Sequence, residues 1–188
     1  SILMHSFSNQ TGKGTLFETV RRGLGKDNCI VITPENAIRR EKSFLPHQLV
    51  LIDEIFIDGD YKKKQSVLNV LKPLMTAEIH DCRPLFKESR QIYSTCGFAC
   101  FTNHKEAVAI TEHDERYTCI DVNKNREKMG GTNFFGPYWK ALKTGTLVNV
   151  VKHFLLNRKI SADFDPAGVS LDTKFRKTMS EHGGHTLF

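Results

Sequence analysis

Apolar residues in this chain fall into short unbroken runs divided by polar loops, and longer stretches carry apolar positions at helical spacing. The run Ile2-Leu3-Met4-His5-Ser6-Phe7 predicts a short strand. Ser8-Asn9-Gln10 begins a loop, and Thr11-Gly12-Lys13-Gly14-Thr15 opens a helix that Gly23 and Gly25 end near Leu24. A second apolar run over 28–33 stops at Pro34, and the charged stretch 37–42 predicts a helix. Leu49-Val50-Leu51-Ile52 is a run of large aliphatics, which predicts a strand buried on both faces, as inside a parallel sheet. Residues 61–78 predict a helix with Val67, Leu68, Val70, Leu71, Leu74 and Met75 on its apolar side, and Pro73 predicts a kink or a boundary. Residues 79–90 are polar and broken by Pro84, which predicts a hairpin or an extended loop. One strand over 92–102 ends in Asn103, a connection covers 106–112, and another strand covers 117–122. Beyond Gly130-Gly131 the pattern turns helical, with helices over 133–143 and 146–157, a loop over 161–168 and a short helix over 173–180. This order predicts an α/β fold: a nucleotide-binding core over 1–128, with a central parallel sheet flanked by helices, then a small helical subdomain over 129–188.

Composition narrows the setting. The formal net charge of +6 fits a phosphate-rich partner. No apolar run approaches the ~18–20 residues of a membrane span, and no signal peptide opens the chain, so neither a membrane nor secretion is expected. The opening residues run straight into a motif, which leads us to expect a piece of a longer protein. None of the five cysteines forms a Cys-x-x-Cys pair, which argues against zinc. Cys96 and Cys100 are expected on one face of one strand as small core residues, and the odd count fits a reducing compartment.

The loop Asn9-Gln10-Thr11-Gly12-Lys13-Gly14-Thr15 lies between a strand and a helix, the setting a phosphate loop needs. Backbone N–H groups there would face an anion, Lys13 would reach the outer phosphates, and the Thr15 hydroxyl would help hold Mg²⁺. Phe7 stands at the first glycine position of the usual pattern, and Thr15 comes one residue late. A lysine in an exposed glycine turn is the plainer alternative.

Asp53 and Glu54 follow the buried run, 40 residues after Lys13. Asp53 would hold Mg²⁺, and Glu54 would orient or deprotonate an attacking water. Asn103 ends the later apolar run, where its amide can meet a γ-phosphate or a water; an ordinary turn residue is the alternative. Thirteen residues on, Arg116 in Asp114-Glu115-Arg116-Tyr117 suits an arginine finger, acting in cis or from a neighbouring subunit. An ion pair with Asp114 or Glu112 would use it equally well. His104 and His113 lie near the same end, with a minor claim on catalysis. Lys62-Lys63-Lys64 reads as a solvated helix start before a DNA site.

Taken together, the stretches 10–15, 50–54, 71–76 leading through Lys87 to 101–103, and 114–117 resemble the superfamily 3-like helicase domain at the C-terminal end of phage and plasmid primase-polymerase proteins. A softer likeness runs through Trp139, the segment 154–161, Phe164-Asp165-Pro166 and Thr173-Lys174-Phe175. The resemblance implies an AAA+-like P-loop NTPase that uses ATP and Mg²⁺ to move on single-stranded DNA. It implies a homo-oligomeric ring, often a hexamer, a fused or associated primase, and the cytoplasm of a host cell. It also implies a DNA-contacting hairpin at about 79–90, with Arg83, Lys87 and Arg90 on the phosphates and Phe86 stacking on a base or packing. This chain departs from it at Phe7, and carries Asp-Glu-Arg where relatives often have Asp-Arg-Arg. Two other functions remain open at this point: a degenerate module that binds nucleic acid or assembles without hydrolysis, and a small-molecule phosphotransferase. The water-activating Asp53-Glu54 pair argues against the latter.

Overall fold

The structure is a computed structural model, which describes residues 1–39, 41–56, 61–94, 96–107, 110, 114–122, 127–164 and 174–184. Glu112, His113, Asp165, Pro166, Gly168 and Thr173 lie outside the described residues, as does the side chain of Lys63.

The central element is a 5-stranded sheet. Its strands are β1 (Ile2–His5), β2 (Cys29–Ile32), β3 (Leu49–Ile52), β6 (Gly97–Thr102) and β7 (Thr118–Asp121). They lie in the order β2-β3-β6-β1-β7, and every neighbouring pair is parallel. All C-terminal strand ends therefore point the same way. A separate antiparallel hairpin pairs β4 (Ile79–Cys82) with β5 (Arg90–Tyr93).

The helices are α1 (Lys13–Leu24), α2 (Pro34–Ala37), α3 (Tyr61–Thr76), α4 (Gly131–Lys143), α5 (Thr146–Asn157) and α6 (Lys174–Gly184). They cover both faces of the sheet, which is why β3 has no polar position. On one face Leu3, Val50, Ile52, Phe98 and Cys100 pack with Leu68, Leu71 and Leu74 of α3 and Met179 of α6. On the other, Leu51 and Phe101 pack with Phe17 of α1. Consecutive residues of one strand thus serve opposite cores. Leu71 is fully buried, so Leu71→Ala should cost about 2–5 kcal/mol. α5 lies against α1 and α4, and α6 against β7, so the C-terminal helices pack onto the core.

Several expectations need correcting. The helix expected over 37–42 is instead α2, which starts at Pro34. Thr33 caps it by accepting from the Asn36 N–H at 3.4 Å, and proline is well placed at the first helical position. The single strand expected over 92–102 is split. The Ser94 N–H bonds to the Glu78 carbonyl at 2.8 Å to close the hairpin, and the Gly97 N–H bonds to the Gln48 carbonyl at 2.9 Å where β6 joins β3. Cys96 accordingly lies outside β6 and does not share a strand face with Cys100. In α3 the stripe is Leu68, Leu71 and Leu74, whereas Val70 is exposed. The helix also runs through Pro73 to Thr76.

None of the five cysteines is in a disulfide, and burial pushes the Cys100 and Cys119 thiols up to about 12. Among the described residues no helix is long and apolar enough to cross a membrane.

Candidate functional site

β1 ends at His5, and the chain reaches α1 through a tight loop. Gln10 and Gly12 both take left-handed backbone angles, at φ 60° and 91°. Any side chain at Gly12 would be strained there. The start of α1 has no capping side chain and no acidic residue in its first turn. Its first intrahelical bond runs from the Leu16 N–H to the Gly12 carbonyl at 2.9 Å. The N–H groups of Lys13, Gly14 and Thr15 thus have no partner within the helix. A lysine in this first turn also opposes the helix dipole, an arrangement that an incoming anion would relieve.

The Lys13 side chain reaches across to β6. Its ammonium donates to the Thr102 carbonyl at 2.9 Å, to Asn103 Oδ1 at 2.7 Å and to the Ser6 hydroxyl. Ser6 is fully buried, and its Oγ lies 3.0 Å from both the Ser8 carbonyl and Asn103 Oδ1. The Asn103 amide donates in turn to Asn9 Oδ1 at 2.9 Å. One chain of contacts thereby joins the loop, the lysine and the end of β6. Burial pulls the Lys13 pKa below the usual lysine value, and the charges of Asp53 and Glu54 pull it back only in part.

Asp53 and Glu54 leave β3 at the same edge of the sheet. The Asp53 N–H bonds to the Ile32 carbonyl at 3.2 Å, and Asp53 Oδ1 accepts from the Glu54 N–H at 3.0 Å. Glu54 adopts a left-handed φ of 51°, a costly conformation for a side chain of this kind. The Ile55 N–H then returns to the Phe101 carbonyl at 2.7 Å and fixes the turn. Both carboxylates are exposed.

These groups open onto one cleft of about 380 Å³, lined by residues 8–15, Asp53, Glu54, Asn103 and Trp139. Every residue expected to bind phosphate or metal there is in its wall, including Asn9, Gln10, Thr11, Gly14 and Thr15. The donor set suits a nucleotide with Mg²⁺: free N–H groups and one ammonium for phosphate, and a hydroxyl and a carboxylate for a hard cation. Phe7 does not line the cleft. Its ring meets His5 edge-on at 4.8 Å and lies under the Lys105 ammonium at 4.7 Å. Replacing the usual glycine by Phe7 therefore leaves the cleft open.

Ser6 and Trp139 were the residues hardest to foresee as parts of the site. Nothing marks Ser6 in the sequence beyond its place at a strand end. Trp139 stands out only through the family resemblance, since α4 follows the last strand.

The remaining candidates lie elsewhere. Arg116 precedes β7 at the N-terminal edge of the sheet, where its carbonyl accepts from the Ser1 amino group at 2.9 Å. Lys13 follows the C-terminal end of β1, one strand away, so Arg116 cannot act in cis on this cleft. It instead pairs with buried Asp114 at 3.4 Å, which Lys72 also meets at 3.4 Å. Arg83 and Lys87 sit in the turn of the β4–β5 hairpin, and Arg90 opens β5. All three are exposed, as is the whole Phe86 ring. His104 lies outside the cleft wall, its ring tilted against Phe56 with the centroids 4.3 Å apart. Lys64 donates to the Glu106 carbonyl at 2.6 Å, and Lys62 is exposed.

A family model described as "Family of unknown function (DUF5906)" matches residues 4–117, a span holding Lys13, Asp53, Glu54 and Asn103. No curated protein matches the chain. Among solved structures, "The apo structure of NrS-1 C terminal region (305-718)" aligns with a TM-score of 0.79 at 17% identity, over 96% of this chain and 42% of that one. "The A form apo structure of NrS-1 C terminal region-CTR" aligns with a TM-score of 0.73 at 18% identity, over 96% of this chain and 41% of that one. At such identities the likeness establishes the fold. The chain spans about two fifths of the length of those structures.

Proposed function

The chain belongs to the DUF5906 family, and we propose that it is a P-loop ATPase, the motor of a replication helicase that moves on single-stranded DNA. The observation that carries this reading is the convergence of Lys13, Asp53, Glu54 and Asn103 on one cleft at the C-terminal edge of a parallel sheet. That edge is where open α/β sheets place their ligands.

Strand order supports hydrolysis in particular. β6 lies between β1 and β3. With neighbouring strands about 4.8 Å apart, the lysine strand and the acid strand are separated by roughly 10 Å. That gap has room for a terminal phosphate and a water, with Asn103 beneath them. The first turn of α1 and Lys13 would hold the phosphates. Thr15 and Asp53 would hold Mg²⁺, which when bound neutralises phosphate charge. Glu54 would take a proton from the water as its oxygen attacks the γ-phosphorus, and the bond to the ADP oxygen breaks. Asn103 would position the water or the phosphate.

Arg116, at the opposite sheet edge, could serve only the cleft of a neighbouring copy, which suits the ring implied by the family resemblance. The exposed basic hairpin with Arg83, Lys87 and Arg90 suits contact with a phosphate backbone. Release of phosphate from Mg·ATP without any added acceptor, increased by single-stranded DNA, is the result expected. Nucleotide binding with no release would reduce the chain to a binding module, and release that requires a small-molecule acceptor would make it a phosphotransferase.

A further inference from the structure

The cleft does not end at the phosphate loop. Beyond Gly12 a second hollow of about 290 Å³ opens, bounded by Gln10, Gly12, Thr15, Phe135, Gly136 and Trp139. Gln10, Gly12, Thr15 and Trp139 line both hollows, so the two chambers are adjacent. The chambers differ in chemistry. The inner one holds Lys13, Asp53, Glu54 and Asn103, whereas among the described residues no charged side chain lines the outer one.

Trp139 stands in the wall of both chambers, half-buried. Its helix is fixed in place. The buried Phe135 ring lies 3.6 Å from where a Cβ on Gly12 would be, so the loop and α4 are in close contact. On the same helix, the Tyr138 hydroxyl shares a hydrogen bond with Thr19 Oγ1 of α1 at 2.6 Å. These contacts place the helix, and Trp139 with it, beside the 10–15 loop. An uncharged aromatic hollow beside one that offers the Lys13 ammonium and the backbone N–H groups of the loop has the layout of a nucleotide: base outside, phosphates inside.

We propose that Trp139 stacks on the nucleobase of a nucleoside triphosphate whose phosphates lie on the 10–15 loop, an assignment that rests on the nucleotide reading above. Stacking acts on any π face, so the site favours a base over no base more than one base over another.

Trp139 is the only tryptophan in the chain, so its fluorescence reports on this chamber directly. The 188-residue chain is titrated in Mg²⁺ with ATP and, separately, with inorganic tripolyphosphate. ATP should quench the emission saturably; tripolyphosphate should compete with ATP without quenching. By calorimetry, Trp139→Leu should weaken ATP about tenfold and leave tripolyphosphate unchanged, which also shows that the fold is intact. Trp139→Phe should recover most of the loss. Equal ATP affinity in Trp139→Leu, or equal quenching by tripolyphosphate, overturns the base site while the phosphate site stands. If neither ligand binds the wild type, the nucleotide reading fails and the base site fails with it.

Discussion

The Lys13 ammonium donates to the side-chain carbonyl of Asn103 at 2.7 Å, although 90 residues separate them. The contact exists because β1 and β6 are parallel neighbours whose C-terminal ends meet. It places the ammonium and the amide, the groups proposed to hold phosphate and to position a water, close to each other. Removing the amide should therefore act on the transition state more than on binding. Asn103→Ala should lower ATP turnover about 100-fold while changing nucleotide affinity by less than about tenfold. Lys13→Ala should lose both. Paired turnover and calorimetry measurements separate the two patterns.

Burial lowers the Lys13 pKa from 10.5, with Asp53 and Glu54 opposing the shift. If the charged form holds phosphate as proposed, nucleotide affinity should begin to fall before the pH reaches 10.5. The sign for stability is opposite. In the free protein the folded chain loses this proton before the unfolded chain does. Between the lowered value and 10.5 the unfolded chain binds more protons, so stability gains with rising pH. Affinity that stays flat up to 10.5 would contradict this environment for Lys13.

Glu18 joins Arg21 at 2.8 Å and Arg22 at 2.7 Å on α1, and Arg22 reaches the Leu142 carbonyl of α4 at 3.1 Å. Burial raises the carboxyl pKa, but the two arginines outweigh it and bring it below 4.5. The pair's stabilisation is complete above 4.5 and is lost as the pH falls through the lowered value. Glu18→Gln should cost roughly 0.5–1 kcal/mol at pH 7. Urea unfolding of both proteins should show that difference closing in acid; a constant difference would assign it to packing.

Much of this arrangement was legible in the sequence. Leu49-Val50-Leu51-Ile52 could only be a strand with two buried faces, and its exit had to carry Asp53 and Glu54 to the sheet edge. Gly12 before Lys13 located the start of α1. What remained hidden depends on contacts distant in sequence. The order of the strands decides that Asn103 lies beside Lys13 and that Arg116 does not, and no local pattern encodes it. The break between β5 and β6 comes from bonds to Glu78 and Gln48, so the apolar run alone could not show it. Ser6 is positioned by the ammonium it accepts from.

The Phe86 ring is fully exposed, on a residue with φ 60°, in the turn between Arg83 and Lys87. It contributes no burial to folding, so Phe86→Ala should leave the melting temperature unchanged. If the hairpin holds single-stranded DNA, the same change should weaken that binding by about 1–3 kcal/mol. Lys87→Ala should instead flatten the salt dependence by about 0.7 in log–log slope. DNA affinity unaffected by all of these changes would remove the hairpin from the interface.

The most direct test of the central claim is steady-state ATP hydrolysis with and without single-stranded DNA, comparing wild type with Lys13→Ala and Glu54→Gln. The account predicts turnover that DNA stimulates and that both substitutions abolish, with Glu54→Gln still binding nucleotide. Turnover that survives both substitutions, or none in the wild type across a wide range of protein concentration, would contradict it.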